Sequence, residues 1–71
     1  MINHDQAVFI ARGRVLRDGV MSLDGRLTEA RLKDGAWHVQ FPLADENMRG
    51  GEPHVIIDAN DGSVKEVFYT Q

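Results

Sequence analysis

The sequence predicts an α+β domain in which one N-terminal helix packs on a four-stranded antiparallel meander sheet. Residues 4–17 repeat apolar side chains with helical spacing, and residues 26–70 contain four segments with the alternating spacing of strands. The turn sequences DG and NDG join these segments in pairs. A helix with one apolar stripe and a sheet with one apolar face are both buried when they pack together.

The helix is predicted from about His4 to Arg17. Asn3 and Gln6 have the spacing of a capping box, and Gly19 suits the left-handed position after a helix. The apolar stripe of the helix is predicted at Val8, Ala11 and Val15, flanked by Ala7, Phe9 and Leu16. This stripe should face the sheet.

The first hairpin is predicted around Asp34-Gly35, because both central residues of a type I′ turn need positive φ. Before the turn, the polar side chains expected outside the core face are Arg26, Glu29, Arg31 and Lys33. After the turn, the side chains expected on one face of the return strand are Trp37, Val39, Phe41 and Leu43.

The second hairpin is predicted to join PHVIIDA and VKEVFYT, after a polar loop with the sequence ADENMRGGE. Glycines allow backbone angles that other residues avoid, so turn roles are predicted for Gly35, Gly50, Gly51 and Gly62. The predicted core consists of Val8, Ala11, Val15, Trp37, Val39, Phe41, Val55 and Ile57, and Phe68 is expected to join it.

Length and composition narrow the classes of protein. The 71 residues predict a single domain over 1–71, and the absence of cysteine excludes disulfides and thiolate zinc sites. A net charge of −3 gives no general attraction to nucleic acid or to an anionic membrane surface. The start MINHDQAV lacks the features of a signal peptide, and no apolar run could span a membrane. We therefore expect a cytoplasmic protein.

Loop motifs between Arg49 and Gly62 resemble ion-binding motifs only in part. A calcium loop that started at Asp58 would need an oxygen ligand where Gly62 stands and a glutamate where Tyr69 stands. A phosphate loop would lead into a helix, whereas this glycine pair leads into a strand and carries Glu52. The residues instead predict turns.

Histidines are the remaining candidates for metal binding or catalysis. His38 and His54 could share a face of the sheet, while His4 lies near the start of the helix. His54 and Asp58 are four residues apart on one strand, or about 13 Å, which is too far for a direct acid–base pair. We predict no catalytic residue, no metal site and no cofactor.

Three arginines crowd the second half of the helix: Arg12, Arg14 and Arg17. The nearby negative end of the helix dipole favours cations there. We interpret them as a solvated helix face; the alternative is a rim that meets an acidic protein partner.

The segment from Trp37 to Gln71 resembles the small NTF2-fold immunity proteins of bacterial polymorphic toxin systems. The matching positions are Ala7 and Ala11 in the helix, and then Trp37, Val39, Phe41, Gly50, Gly51, Val55, Ile57, Asp58, Gly62, Val64 and Gln71. The half VIIDANDGSV is also similar to PepSY-type domains, which are associated with peptidase inhibition. Either resemblance implies a cystatin/NTF2-like or PepSY-like half-fold.

The first resemblance implies a non-catalytic protein that binds a toxin and blocks it. From exposure and chemistry, the candidates for partner binding are Asp45, Glu46, Met48, Arg49, Glu52 and Asp61. The acids would face a basic cleft, and Met48 would be an apolar anchor. Two alternatives stay open: a self-associating module that forms a homodimer through the sheet, and a minor enzyme or ligand-binding role in a shallow pocket between helix and sheet.

Overall fold

The computed structural model describes residues 1–45 and 51–70 of the chain. The elements are α1 (His4–Asp18), β1 (Glu29–Lys33), β2 (Ala36–Gln40), β3 (Glu52–Asp58) and β4 (Val64–Thr70). The strands form one antiparallel sheet in the order β1-β2-β3-β4, and α1 packs on one side of it. The predicted α+β architecture is confirmed.

Helix α1 begins and ends as predicted. The Asn3 side chain accepts the Gln6 N–H at 2.8 Å, and the Gln6 side chain accepts the Asn3 N–H at 2.8 Å. After Asp18, Gly19 takes a φ of 67° and donates its N–H to the Val15 carbonyl at 3.2 Å. In the described part of the chain, no helix is long and apolar enough to cross a membrane.

The first hairpin turn has the predicted geometry. Asp34 has a φ of 52° and Gly35 a φ of 77°, the pair of positive values that a type I′ turn requires. The turn sets the pairing of β1 with β2. Lys33 lies opposite Ala36 next to the turn, and Glu29 lies opposite Gln40 at the far end.

The second hairpin turn uses the carboxylates that imitate a calcium loop. Gly62 has a φ of 78° and donates its N–H to the Asp58 carbonyl at 2.9 Å. The Asp58 carboxylate accepts the Asn60 N–H at 2.8 Å, and the Asp61 carboxylate accepts the Ser63 N–H at 2.8 Å. These are Asx-type turn bonds, so the prediction of a turn is confirmed.

Strand β4 contains a bulge. Val64 lies opposite Ile57, and Glu66 lies opposite Ile56. Lys65 has no residue opposite it and is therefore an extra residue in the ladder. Side chains three residues apart point to opposite faces of a regular strand. Because of the bulge, Val64 and Val67 both pack against the core.

The core between α1 and the sheet contains most of the predicted residues. Those with no exposed surface are Ala11, Val15, Val39, Phe41, Val55 and Ile57. Ala7 is also fully buried, whereas Val8 is only half-buried, so the prediction of Val8 as a core residue is wrong. The buried stripe starts one residue earlier and repeats every four residues, because the small Ala7 lets α1 approach the sheet closely.

Two aromatic residues that the sequence predicted in the core lie outside its fully buried part. Trp37 is half-buried at its edge, where the indole Nε1–H donates to the Ile2 carbonyl at 3.2 Å. Phe68 is 39% exposed and points to the side of the sheet away from α1, so its expected place in the core is wrong. The bulge at Lys65 explains the error, because it sets which β4 side chains face α1.

Arg26 lies in a different environment from the predicted one. It is half-buried, and its two Nη atoms donate to the carbonyls of Phe41 and Gly51, each at 2.9 Å. Its Nε donates to the Ser22 carbonyl at 3.1 Å. The single guanidinium therefore joins the segment before β1 to the end of β2 and the start of β3.

Gly51 is required by its close approach to β4. A Cβ atom added to Gly51 would overlap the carbonyl oxygen of Thr70. The next residue, Glu52, pairs with Thr70 and donates its N–H to the Thr70 Oγ1 at 3.2 Å. The chain thus enters β3 too near the β4 backbone for any side chain at position 51. Gly50 lies outside the described residues.

Candidate protein-binding surface

The side of the sheet turned away from α1 forms a second surface, which we call the open face. The inward side chains Val39, Val55 and Ile57 pack with α1, and their strand neighbours alternate to the other side. The open face consists of Glu29, Arg31, Lys33, Ala36, His38, Gln40, Glu52, His54, Ile56, Asp58, Glu66, Phe68 and Thr70.

Two rows of paired side chains cross the open face. The first row, in order from β1 to β4, is Glu29, Gln40, His54 and Phe68. The second row, in the same order, is Arg31, His38, Ile56 and Glu66. The members from the inner strands β2 and β3 are half-buried, and the members from the edge strands are exposed. The open face therefore has a partly desolvated centre and a solvated border.

A stacked aromatic pair lies on this face. The rings of His54 and Phe68 have centroids 4.7 Å apart and planes 13° from parallel. Glu52 holds its Oε1 at 3.7 Å from the His54 Nε2 on the same strand. The pair gives the face a flat aromatic element with a polar edge, a combination that is enriched in protein interfaces.

The charges of the open face are unevenly distributed. Arg31 and Lys33 place two cations on β1, beside Glu29 at the start of that strand. On the opposite half of the sheet, β3 contributes Glu52 and Asp58, and β4 contributes Glu66. The face is thus acidic toward β4 and mainly basic toward β1, an arrangement that can orient a partner of complementary charge.

The described residues among those predicted to bind a partner lie apart from one another. Glu52 lies at the start of β3 on the open face, whereas exposed Asp61 follows the far end of that strand, about 20 Å away at the usual rise. Asp45 is exposed near Gly25, whose carbonyl accepts the N–H of Ala44 at 3.3 Å. The remaining candidates lie outside the described residues: Glu46, Met48 and Arg49.

The Asp61 carboxylate has a local structural partner. The N–H of Ser63, and then its hydroxyl, hold the pKa of the Asp61 carboxyl below its ordinary value of 3.8. The side chain is therefore anionic at neutral pH while it closes the turn before β4.

The histidines are distributed over both sides of the molecule. His38 and His54 lie on the open face in neighbouring rows, and His4 lies at the edge of Trp37 with ring centroids 5.9 Å apart. Within residues 1–45 and 51–70, no group of three or more His, Cys, Asp or Glu side chains is placed to hold a metal ion.

A shallow groove runs between α1 and β4, where a ligand pocket was one of the expectations. It measures about 500 Å³, is widely open to solvent, and is lined by Phe9, Ile10, Gly13, Arg14, Arg17 and Val64. Its Arg14 already has a partner, because the Nε donates to both carboxylate oxygens of Asp18 at 3.1 Å.

A hydrogen bond between side chains also links α1 to β4. The Tyr69 hydroxyl donates to the Asp18 carboxylate at 3.4 Å. Partial burial, and then the negative charge of Asp18, raise the pKa of Tyr69 above its ordinary value of 10.0. The arrangement fastens the end of the helix to an edge strand.

Comparison with known proteins leaves the resemblances as they stand. No family model, no curated protein and no solved structure matches this chain. The likeness to immunity proteins, and the second likeness to PepSY-type domains, therefore remain expectations that rest on the residues themselves.

Sequence reasoning missed the aromatic pair because it depends on the register of β4. Val64 lies opposite Ile57, so a regular ladder would pair His54, three residues before Ile57, with Val67, three residues after Val64. The bulge places Phe68 there instead. A signal was present in the sequence: Val64 and Val67 are both apolar and three residues apart, which a regular strand cannot place on one face.

Proposed function

We propose that this chain is a non-catalytic protein-binding module that neutralises a cognate bacterial toxin by direct binding. The observation that carries the proposal is the stacked pair of His54 and Phe68 on an open face with charged borders. The toxin as the kind of partner comes from the resemblance of residues 37–71 to immunity proteins.

The composition of the open face supports a protein as the partner. Protein interfaces combine a desolvated centre rich in aromatic and aliphatic groups with a polar rim. Here Ile56 and Phe68 supply apolar surface, while His54 and Gln40 supply hydrogen-bonding groups beside it. Ring stacking also limits the rotation of Phe68, so less conformational entropy is lost when a partner covers it.

The charges of the open face support a partner with a basic cleft. Glu52 and Glu66 lie on the same half of the face as Phe68, and the whole chain has a net charge of −3. Complementary charges raise the rate of association and select among partners. In this proposal the chain acts in the cytoplasm, where it covers the functional surface of the toxin and changes no covalent bond.

The proposal is tested by protection of growing cells. Each product of the neighbouring genes is expressed alone and with this chain, and the toxic product is then purified with it. We expect the wild-type chain to restore growth and to form a stoichiometric complex. Absence of any toxic neighbour, or of a complex with it, contradicts the proposal.

Matched variants test whether the open face does the binding. Phe68→Asp places a charge beside His54 and should abolish both protection and complex formation. Val20→Asp is the control, because Val20 is 58% exposed in the segment after α1 and belongs to no strand of the sheet. Full protection by the Phe68→Asp variant overturns the role of the open face.

A further inference from the structure

The solvent side of α1 carries a line of side chains that the fold does not use. We call it the outer stripe; it consists of Asp5, Phe9, Arg12 and Leu16. These positions are spaced by four, three and four residues, so they share one side of a helix. Phe9 is 80% exposed and Leu16 is 58% exposed, and the Asp5 side chain is 97% exposed.

Gly13 leaves the helix backbone bare beside this stripe. A Cβ atom at Gly13 would meet no atom within 4 Å, so nothing else in the described chain requires glycine there. Glycine inside a helix costs about 1 kcal/mol relative to alanine. The bare backbone next to exposed Phe9 permits close approach by another helix.

The charges of the outer stripe are complementary to those of a second, antiparallel copy of the same stripe. Asp5 lies four residues before Phe9 and Arg12 lies three residues after it, which is about 6 Å and about 4.5 Å along the axis. When a second copy is placed antiparallel to the first by a two-fold rotation about an axis at Phe9, each Asp5 therefore lies opposite the Arg12 of the other copy. Asp5 also contacts the neighbouring His4 Nδ1 at 3.1 Å, a contact within the same chain.

We propose that two copies of this chain associate through the outer stripe as an antiparallel helix pair with a two-fold axis at Phe9. The two Phe9 rings contact each other, the two Asp5–Arg12 pairs flank them, and the backbone at Gly13 admits the opposite helix. A two-fold contact of this kind uses the same surface on both copies. A partner of uniform charge would match only one end of the stripe.

The contact leaves the open face free. Helix α1 lies on one side of the sheet and the open face lies on the other, so a dimer through the outer stripe directs both open faces outward. The contact is one helix wide and thus smaller than a standard interface, so we expect a dissociation constant of about 100 μM. The inference is independent of the proposed toxin.

Sedimentation equilibrium of the purified chain tests the proposal between about 10 μM and about 1 mM, on either side of the expected constant. The wild type should pass from monomer to dimer over this range. Phe9→Ser should weaken association by about tenfold or more, as expected for a central anchor. Leu27→Ser is the control and should associate like the wild type, because Leu27 is 55% exposed but lies off α1.

Charge exchange tests the arrangement of the two copies. Asp5→Arg and Arg12→Asp alone should each weaken the dimer by about tenfold, since each opposes like charges at two symmetric contacts. The double variant should regain an affinity within about twofold of the wild type, because the pairs are re-formed in reverse. Circular dichroism verifies that each variant is folded.

Three results overturn the proposal. The first is a wild type that stays monomeric at the highest concentration. The second is a dimer whose affinity is unaffected by Phe9→Ser. The third is a double charge exchange that fails to restore the affinity that the single changes remove. A dimer that survives all these changes would instead use the sheet.

Discussion

His54 and Phe68 stack across β3 and β4 with ring centroids 4.7 Å apart, on the side of the sheet away from the helix. The contact depends on the extra residue Lys65, which shifts the register so that Phe68 lies opposite His54. Phe68, which the sequence predicted in the core, is thereby directed to the surface, where it can contact a partner.

Phe68→Ala should lower the free energy of unfolding by about 1–2 kcal/mol, because the ring is partly exposed and loses one stacking contact. Phe9→Ala is the matched control, since Phe9 is 80% exposed, and should change stability by less than about 0.5 kcal/mol. Urea unfolding followed by the fluorescence of Trp37 measures both. Equal losses in the two variants would contradict the stacking contact.

Arg26→Met should lower the free energy of unfolding by about 2–3 kcal/mol, because three backbone carbonyls lose a charged donor. Arg31→Met is the control: Arg31 is exposed on β1, and its loss should cost less than about 0.5 kcal/mol. The same urea titration compares them. A small effect at Arg26 would mean that water replaces the guanidinium at these carbonyls.

Gly51→Ala and Gly13→Ala should act in opposite directions. The methyl group at Gly51 would overlap the Thr70 carbonyl, so this variant should lose about 2 kcal/mol or more. At Gly13 nothing lies within 4 Å of the new methyl group, and alanine should raise the stability by up to about 1 kcal/mol. Thermal unfolding at low protein concentration measures both, and a neutral Gly51→Ala variant would contradict the close packing of β3 on β4.

Tyr69 should make stability fall at alkaline pH. Its folded-state pKa is raised above 10.0, so the unfolded chain loses the phenolic proton first as the pH rises. The contribution is complete below that value and is lost as the pH passes through the folded-state pKa. The chain has a single tyrosine, so ultraviolet absorbance titrates it directly.

Asp18→Asn is the variant that isolates the cause of this shift. It removes the carboxylate near the Tyr69 hydroxyl and should lower the Tyr69 pKa toward 10.0, while the contribution from partial burial remains. An unchanged absorbance titration in this variant would exclude Asp18 as a cause.

Local signals predicted the fold well. The capping box at Asn3, the positive-φ pair Asp34-Gly35 and the alternation of β2 each depend on neighbours in the chain, and each has the expected geometry. Short turns join β1 to β2 and β3 to β4, and the order of the sheet followed because strands that are consecutive in sequence usually lie side by side.

Features that depend on tertiary register could not be predicted in this way. Val8 and Ala7 are adjacent on the helix, and only the approach of α1 to the sheet decides which of them is buried. In the sequence, Arg26 resembles Arg31 of β1; only the folded chain brings the backbone carbonyls next to β2 and β3 within reach of its guanidinium. The candidate site also depends on register, because His54 and Phe68 lie opposite each other only as a result of the bulge in β4.

Chemical-shift mapping of the isotope-labelled chain, titrated with the purified toxic product of a neighbouring gene, tests directly whether the open face binds a toxin. We expect the largest side-chain shifts to fall on His54, Ile56 and Phe68 of the open face. Shifts confined to α1 or to the turns at the ends of the sheet, with these three unchanged, would contradict it.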